Sequence, residues 1–211
     1  MIGFVTIIRL NMSVLVAKQS PDFTASAVLA NGSIVDDFQL SSLKGKKIVI
    51  FFYPLDFTFV CPSEILAHHN RIGEFNERSV ELIGISIDSK DTHIAWRNTA
   101  INEGGIGEID FTLVSDVDHS IMESFGIDHP KDSVALRGSF LIDESFIIRH
   151  QVVNDLQLGR NVDEMLRMVD ALDFNTKNGE VCPAGWNKGD DGIKRTPEGI
   201  ASYLSKNASN L

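Results

Sequence analysis

The segment Lys47–Tyr53, KIVIFFY, is a continuous apolar run closed by Pro54. A short run rich in β-branched and aromatic residues, stopped by proline, reads as a central strand buried on both faces. Such a strand needs a packed layer on each side. Before it, Asn31-Gly32 suits the positive φ angles of a tight turn and joins Phe23–Val28 to Ile34–Leu40 as an N-terminal hairpin. After it, Pro62–Ser79 carries Ile65, Leu66, His69, Ile72 and Phe75 at helical spacing. Strand Val80–Asp88, helix Asp91–Thr99, strand Phe111–Ser115 and helix His119–Phe125 follow. Ser139–Ile142 and Ile147–Val153 pair as a hairpin around Asp143–Ser145, and Asn161–Asp173 is an amphipathic helix. This alternation predicts an α/β fold, a mixed sheet flanked by helices on both faces.

Residues 1–12 read as an N-terminal extension, 13–173 as the α/β domain, and 174–211 as a C-terminal arm. The arm is rich in Gly, Asn, Lys and Pro, with one helix at Pro197–Ser205. The extension has a short apolar stretch but no basic residue before it and no clear cleavage site; an organellar or secretory signal is the alternative reading. With 19 basic against 29 acidic side chains, the net charge is −10, which argues against a nucleic-acid partner. No apolar run approaches the ~20 residues that span a bilayer. The expectation is a soluble, acidic, globular protein. Gly104–Gly107, GGIG, lacks the preceding strand and the lysine of a phosphate-binding loop.

The sequence has two cysteines, Cys61 and Cys182, too few for a disulfide framework or a four-thiolate zinc site. Cys61 precedes Pro62, and proline favours the first helical turn. Cys61 is therefore expected at a helix N-terminus, where unpaired amides and the helix dipole favour thiolate over thiol. The dipole alone is weak, so a further cation is required. Thr58, three residues earlier, is placed to set its hydroxyl beside the sulfur, or is simply a cap or turn residue. Pro54 shields the pocket, or merely ends the strand.

Pro54-x-x-x-Thr58-x-x-Cys61 resembles the PxxxTxxC signature of the peroxiredoxins, and VCPAGW around Cys182 resembles the typical two-cysteine subgroup. The likeness runs from Pro21 to Leu204 and includes VELIGISIDS (80–89), FTLVSD (111–116), ALRGSFLID (135–143) and VNDLQLGRNVDEMLR (153–167). It implies a thioredoxin-like fold and reduction of hydrogen peroxide or organic hydroperoxides without metal, haem or flavin. By position, Cys61 becomes the peroxidatic cysteine and Arg137 the missing cation. Thr58 and Arg137 hold the peroxide, Glu64 orients the arginine, and Arg160 is a second supporting arginine. Cys182 becomes the resolving cysteine, reaching a partner subunit, with thioredoxin or a similar dithiol as reductant.

The resemblance also implies a homodimer and a decamer of five dimers, with Leu55–Phe57 as candidates for the ring contact. The expected compartment is the cytoplasm. Gly104–Gly107 with Tyr203-Leu204 resembles the paired features of easily overoxidised members, in which a C-terminal helix packs over the site. Ile106 and Leu204 depart from the usual Leu and Phe, which predicts intermediate sensitivity. Two other readings are an oligomeric holdase chaperone and a cysteine hydrolase. The hydrolase needs a base, yet His68, His69, His93, His119, His129 and His150 show no recognisable partner pattern. Glu64 stands where a CxxC oxidoreductase has its second cysteine.

Overall fold

The computed structural model describes residues 14–211; the extension at residues 1–12 lies outside them. Strand β3, Lys47–Phe52, has all six residues buried, as its sequence demands. It pairs in parallel with β4, Val80–Ser86, and antiparallel with β6, Arg137–Ile142. The seven-stranded sheet runs β2-β1-β5-β4-β3-β6-β7, with β1 at Thr24–Val28, β2 at Ile34–Gln39, β5 at Thr112–Ser115 and β7 at Ile148–Asn154. Both expected hairpins form, β1 with β2 and β6 with β7. The strand period of two then divides β3 between two cores. Val49 and Phe51 point to a cluster with Ile65, Phe75, Trp96, Met165 and Val169; Ile48, Ile50 and Phe52 join Ile121, Phe125, Phe140 and Ile148 on the other face.

The helices are α1 Cys61–His69, α2 Ile72–Glu77, α3 Lys90–Asn98, α4 Ser120–Phe125, α5 Val162–Asn178 and α6 Pro197–Asn207. The helix expected over Pro62–Ser79 is thus two helices. Asn70 closes α1 and Arg71 leaves helical geometry at φ −110° and ψ 10°. Asn and Gly73 are weak helix formers, and Arg71 forms a pair with Asp163 that anchors the break to α5. Helix α5 runs five residues beyond the expected end, to a left-handed cap at Gly179, φ 68°. Tertiary packing extends it: Phe174 packs against Trp186 of the arm, the ring centroids 4.9 Å apart and the planes tilted by 43°. In the Gly104–Gly107 loop, a Cβ on Gly105 would lie 1.9 Å from the carbonyl oxygen of Thr99, so only glycine fits.

Candidate active site

The exit of β3 and the start of α1 fix the position of Cys61. Tyr53 and Pro54 are buried at the strand end, and Leu55–Val60 loops over to Cys61, the first residue of α1, with Pro62 next. The sulfur is fully buried, at the helix end where backbone N–H groups lack intrahelical partners. Arg137, the first residue of β6, is brought alongside by the β3–β6 pairing, and its Nη1 lies 3.5 Å from Cys61 Sγ. The same Nη1 donates to Glu64 Oε2 at 2.5 Å, and Nε donates to the carbonyl of Leu156 at 2.8 Å. Glu64 lies one turn into α1, so helical geometry sets its carboxylate under the cysteine.

Arg160, on the loop entering α5, grips the other side of that carboxylate. Its Nε donates to Glu64 Oε1 at 2.8 Å and its Nη2 to Oε2 at 3.2 Å. The remaining donors go to Ser139 Oγ and to the carbonyls of Gly138 and Phe52. Every Arg160 N–H is thereby occupied, which makes it a brace and leaves none for a ligand. By contrast, the Nη2 hydrogens of Arg137 have no acceptor among the described residues. Burial alone would raise the Glu64 pKa, but Arg160 and Arg137 outweigh it and hold the carboxyl below its ordinary value. The site therefore contains one carboxylate between two guanidiniums, an excess positive charge facing the sulfur.

Of the two readings of Thr58, the structure shows the turn contact. Its Oγ1 donates to the carbonyl of Leu55 at 2.8 Å, and no hydrogen bond to the sulfur is present. With its proton used in that bond, the hydroxyl oxygen still has lone pairs to offer a donor. Of the loop's apolar residues, Phe57 is half exposed against Trp96, while Phe59 is 97% exposed two positions before the sulfur. Phe59 was not singled out by sequence; alternation within FTFV is its only signal.

The histidines correct the sequence expectation in two places. His93 is fully buried with Nδ1 2.7 Å from Asp56 Oδ2, and Tyr53 Oη donates to Asp56 Oδ1 at 2.8 Å. A partner pattern therefore exists, but its Nε2 faces the carbonyl of Val114 at 3.3 Å, so both nitrogens are engaged away from Cys61. His68 is buried beneath Glu64, its ring stacked on Phe51 at 4.0 Å and its Nδ1 donating to the Glu64 carbonyl at 2.7 Å. Burial, reinforced by Arg160, pushes its pKa down to about 3, so the ring is neutral. Engaged with these other partners, neither His68 nor His93 is offered as a base to a nucleophile at position 61.

Cys182 occupies a different surrounding. Both cysteines are free thiols. Cys182 is half-buried on the arm, its Sγ donating to the carbonyl of Ala171 on α5 at 3.4 Å. Burial pushes this thiol up, with Arg167 opposing. The expected cover of α6 over the site is absent from this chain: α6 has no buried residue, and Tyr203 lines a pocket with Pro183, Trp186 and Asp190 of its own arm. Leu204 is 42% exposed. Ile106 is buried, and the Gly104 carbonyl accepts from Trp96 Nε1 at 2.9 Å, so the two features meet different neighbours. Among the described residues no group of His, Cys, Asp or Glu could hold a metal ion.

A buried thiol at a helix N-terminus, faced by a guanidinium with unused donors, is equipped to attack an O–O bond and to receive the departing negative charge. Comparison with known proteins agrees. Residues 16–151 match the AhpC/TSA family, and residues 171–206 match the C-terminal domain of 1-Cys peroxiredoxin. The chain is 55% identical over 194 residues to alkyl hydroperoxide reductase C of Buchnera aphidicola subsp. Acyrthosiphon pisum, covering 92% of this chain and 98% of the relative. It is 48% identical over 191 residues to peroxiredoxin-1 of Gallus gallus, covering 90% and 96%. The crystal structure of reduced Plasmodium vivax 2-Cys peroxiredoxin superposes with a TM-score of 0.88 at 47% identity, covering 91% of this chain and 99% of that one. These relatives are peroxidases, and the holdase alternative finds no support among them. With Cys61, Arg137 and Glu64 assembled on a thioredoxin-like sheet, the chain belongs to the AhpC/TSA family of peroxiredoxins and is a thiol-dependent peroxidase.

Proposed function

We propose that Cys61 is the peroxidatic cysteine and Cys182 the resolving cysteine of a two-cysteine cycle that reduces hydrogen peroxide and organic hydroperoxides. The observation that carries this reading is the 3.5 Å approach of Arg137 Nη1 to a Cys61 sulfur at a helix N-terminus. The thiolate attacks the nearer peroxide oxygen, the O–O bond breaks, and the departing alkoxide or hydroxide takes up a proton. Cys61 becomes sulfenic acid and the peroxide is reduced to alcohol or water. The free Nη2 donors of Arg137 hold the peroxide and meet the charge that grows on the leaving oxygen. The Thr58 hydroxyl, its proton committed to Leu55, accepts from the peroxide O–H and aligns attack. Pro54 offers no competing N–H at the strand exit. Glu64 and Arg160 keep the Arg137 guanidinium in one orientation.

Cys182 then closes a disulfide with Cys61 of a partner subunit, and a thioredoxin-type dithiol regenerates both thiols by exchange. The partner arrangement is a dimer, further assembled as a decamer with Leu55–Phe57 at the ring contact, working in the cytoplasm. Non-reducing mass measurement before and after one equivalent of peroxide tests the division of labour. Wild type should convert to a Cys61–Cys182 linked dimer, whereas Cys182→Ser should stop at sulfenic acid. The same cross-link in Cys182→Ser would refute it.

A further inference from the structure

Each cysteine of this chain has, on an element beside it, an arginine that a glutamate holds. Around Cys182, Glu164 and Arg167 on α5 form a two-pronged pair at 2.6 and 2.7 Å, which fixes the guanidinium plane. Arg167 Nη1 then donates to the carbonyl of Trp186 at 2.6 Å. Trp186 belongs to the same loop as Cys182 and is anchored in turn, buried against Phe174. Cys182 Sγ rests on the carbonyl of Ala171, four positions after Arg167 on the same face of α5, so the guanidinium lies one helical turn along from the thiol and opposes the upward push of burial on it.

The other charged groups near that sulfur are neutralised or turned away. A cavity of 490 Å³ beside Cys182 is lined by Asp143, Glu144, Arg149 and His150. Asp143 and Arg149 pair at 2.6 Å, and Glu144 is exposed. Burial holds His150 below its ordinary value, with Glu164 opposing and Arg167 reinforcing, and its Nε2 has no hydrogen-bond partner among the described residues. Lys188 is drawn to Asp170 at 3.6 Å.

We propose that Arg167 is a positioning residue for the disulfide-forming half of the cycle: fixed by Glu164, it seats the Cys182 loop through the Trp186 carbonyl and stabilises the Cys182 thiolate. The inference rests on Cys182 being the resolving cysteine. In the resting arm the thiol is protonated and donates to Ala171, so it must lose that proton to solvent before attack. The thiolate then attacks the sulfur of Cys61 sulfenic acid. The S–S bond forms, the S–O bond breaks, and the departing hydroxide takes a proton and leaves as water. Peroxide already consumed at Cys61 is the only oxidant needed.

Rapid mixing of the full-length protein with one equivalent of hydrogen peroxide separates sulfenic acid formation from disulfide formation. The first phase should be the same in wild type, Arg167→Met and Arg167→Lys. The second phase of Arg167→Met should slow by about five-fold at neutral pH, the upper end for a partly exposed charge pair, and its pH profile should move to higher pH. Arg167→Lys should keep the profile in place, and Glu164→Gln, which retains the cation but loosens it, should fall between. An unmoved profile in Arg167→Met overturns the proposal. So does a faster second phase, which would make Arg167 only a latch, or a lysine profile displaced as far as that of methionine. A cross-link persisting in Cys182→Ser would instead refute the resolving role beneath it. If wild type links through Cys182 while Arg167→Met is unmoved, that role stands and only the Arg167 inference falls.

Discussion

Cys61 and Cys182 have the same residue types beside them, an arginine held by a glutamate, at very different depths. At Cys61 a carboxylate and two guanidiniums are packed into the interior; Arg137, Arg160 and Glu64 expose no more than 4% of their side chains. At Cys182 the glutamate and arginine expose 44% and 27%, and the thiol is given to a backbone carbonyl. Charge interactions strengthen as water is removed, so the inner group can hold an anion and stabilise a transition state. The outer group holds a surface segment, through the Trp186 carbonyl, that the proposed disulfide step would have to release. In the two-cysteine cycle proposed above, that difference assigns the two steps by depth, with little change in residue type.

The comparison breaks first at the sulfurs. Cys61→Ser should abolish peroxide turnover, at least about a thousand-fold by loss of the nucleophile, while Cys182→Ser should leave the first peroxide consumption intact; a coupled peroxidase assay and a single-turnover assay distinguish them. Arg137→Met should lower the second-order rate with peroxide by about 10²–10³, the loss expected for one donor facing a developing oxyanion. Stopped-flow kinetics on the Cys182→Ser background isolates that step. Glu64→Gln should leave two buried guanidiniums uncompensated and lower stability by about 3–5 kcal/mol, read by urea unfolding. The corresponding Glu164→Gln, at the exposed pair, should change unfolding by less than about 1 kcal/mol.

Acid sharpens the same contrast. His68 is neutral in the fold with its pKa near 3, whereas an unfolded histidine titrates near 6.5. Below that value the unfolded chain binds the extra proton, so stability should fall as pH drops from about 6.5 toward 3, with a slope near 1.4 kcal/mol per pH unit. Glu64 adds its own loss only lower, as pH falls from the unfolded carboxyl value through its depressed folded one. His68→Gln should flatten the upper part of this acid limb in denaturant titrations at stepped pH. The smallest effect belongs to the arm: Trp186→Phe should raise amide exchange across Val181–Trp186 several-fold without a comparable change in the core strands.

Most of the frame was legible along the chain because periodicity is a local signal. The KIVIFFY run, the Asn31-Gly32 turn and the apolar spacing of α5 each depend on neighbouring residues, and each element formed. Element ends were less legible. The break at Asn70–Arg71 depends on the pair Arg71 makes with Asp163, 92 positions away, and the extra length of α5 depends on Trp186. At the site, residue types and spacing pointed to Cys61, and the resemblance supplied Arg137, Glu64 and Arg160. No spacing rule announced the Asp56–His93 pair or the burial of His68, since both arise where separate elements cross.

Sequence alone determined that this chain builds a two-sided sheet and starts a helix at a cysteine, because a buried apolar run and a Cys-Pro step act within a few residues. Tertiary structure decided the rest of the chemistry. Only the antiparallel pairing of β6 with β3 carries Arg137 to the sulfur, only the loop into α5 closes Arg160 on Glu64, and only packing of the arm brings the Cys182 loop onto Arg167 through the Trp186 carbonyl. Electrostatic effects on a thiol depend on distance and on excluded water, and neither is a property of position along the chain.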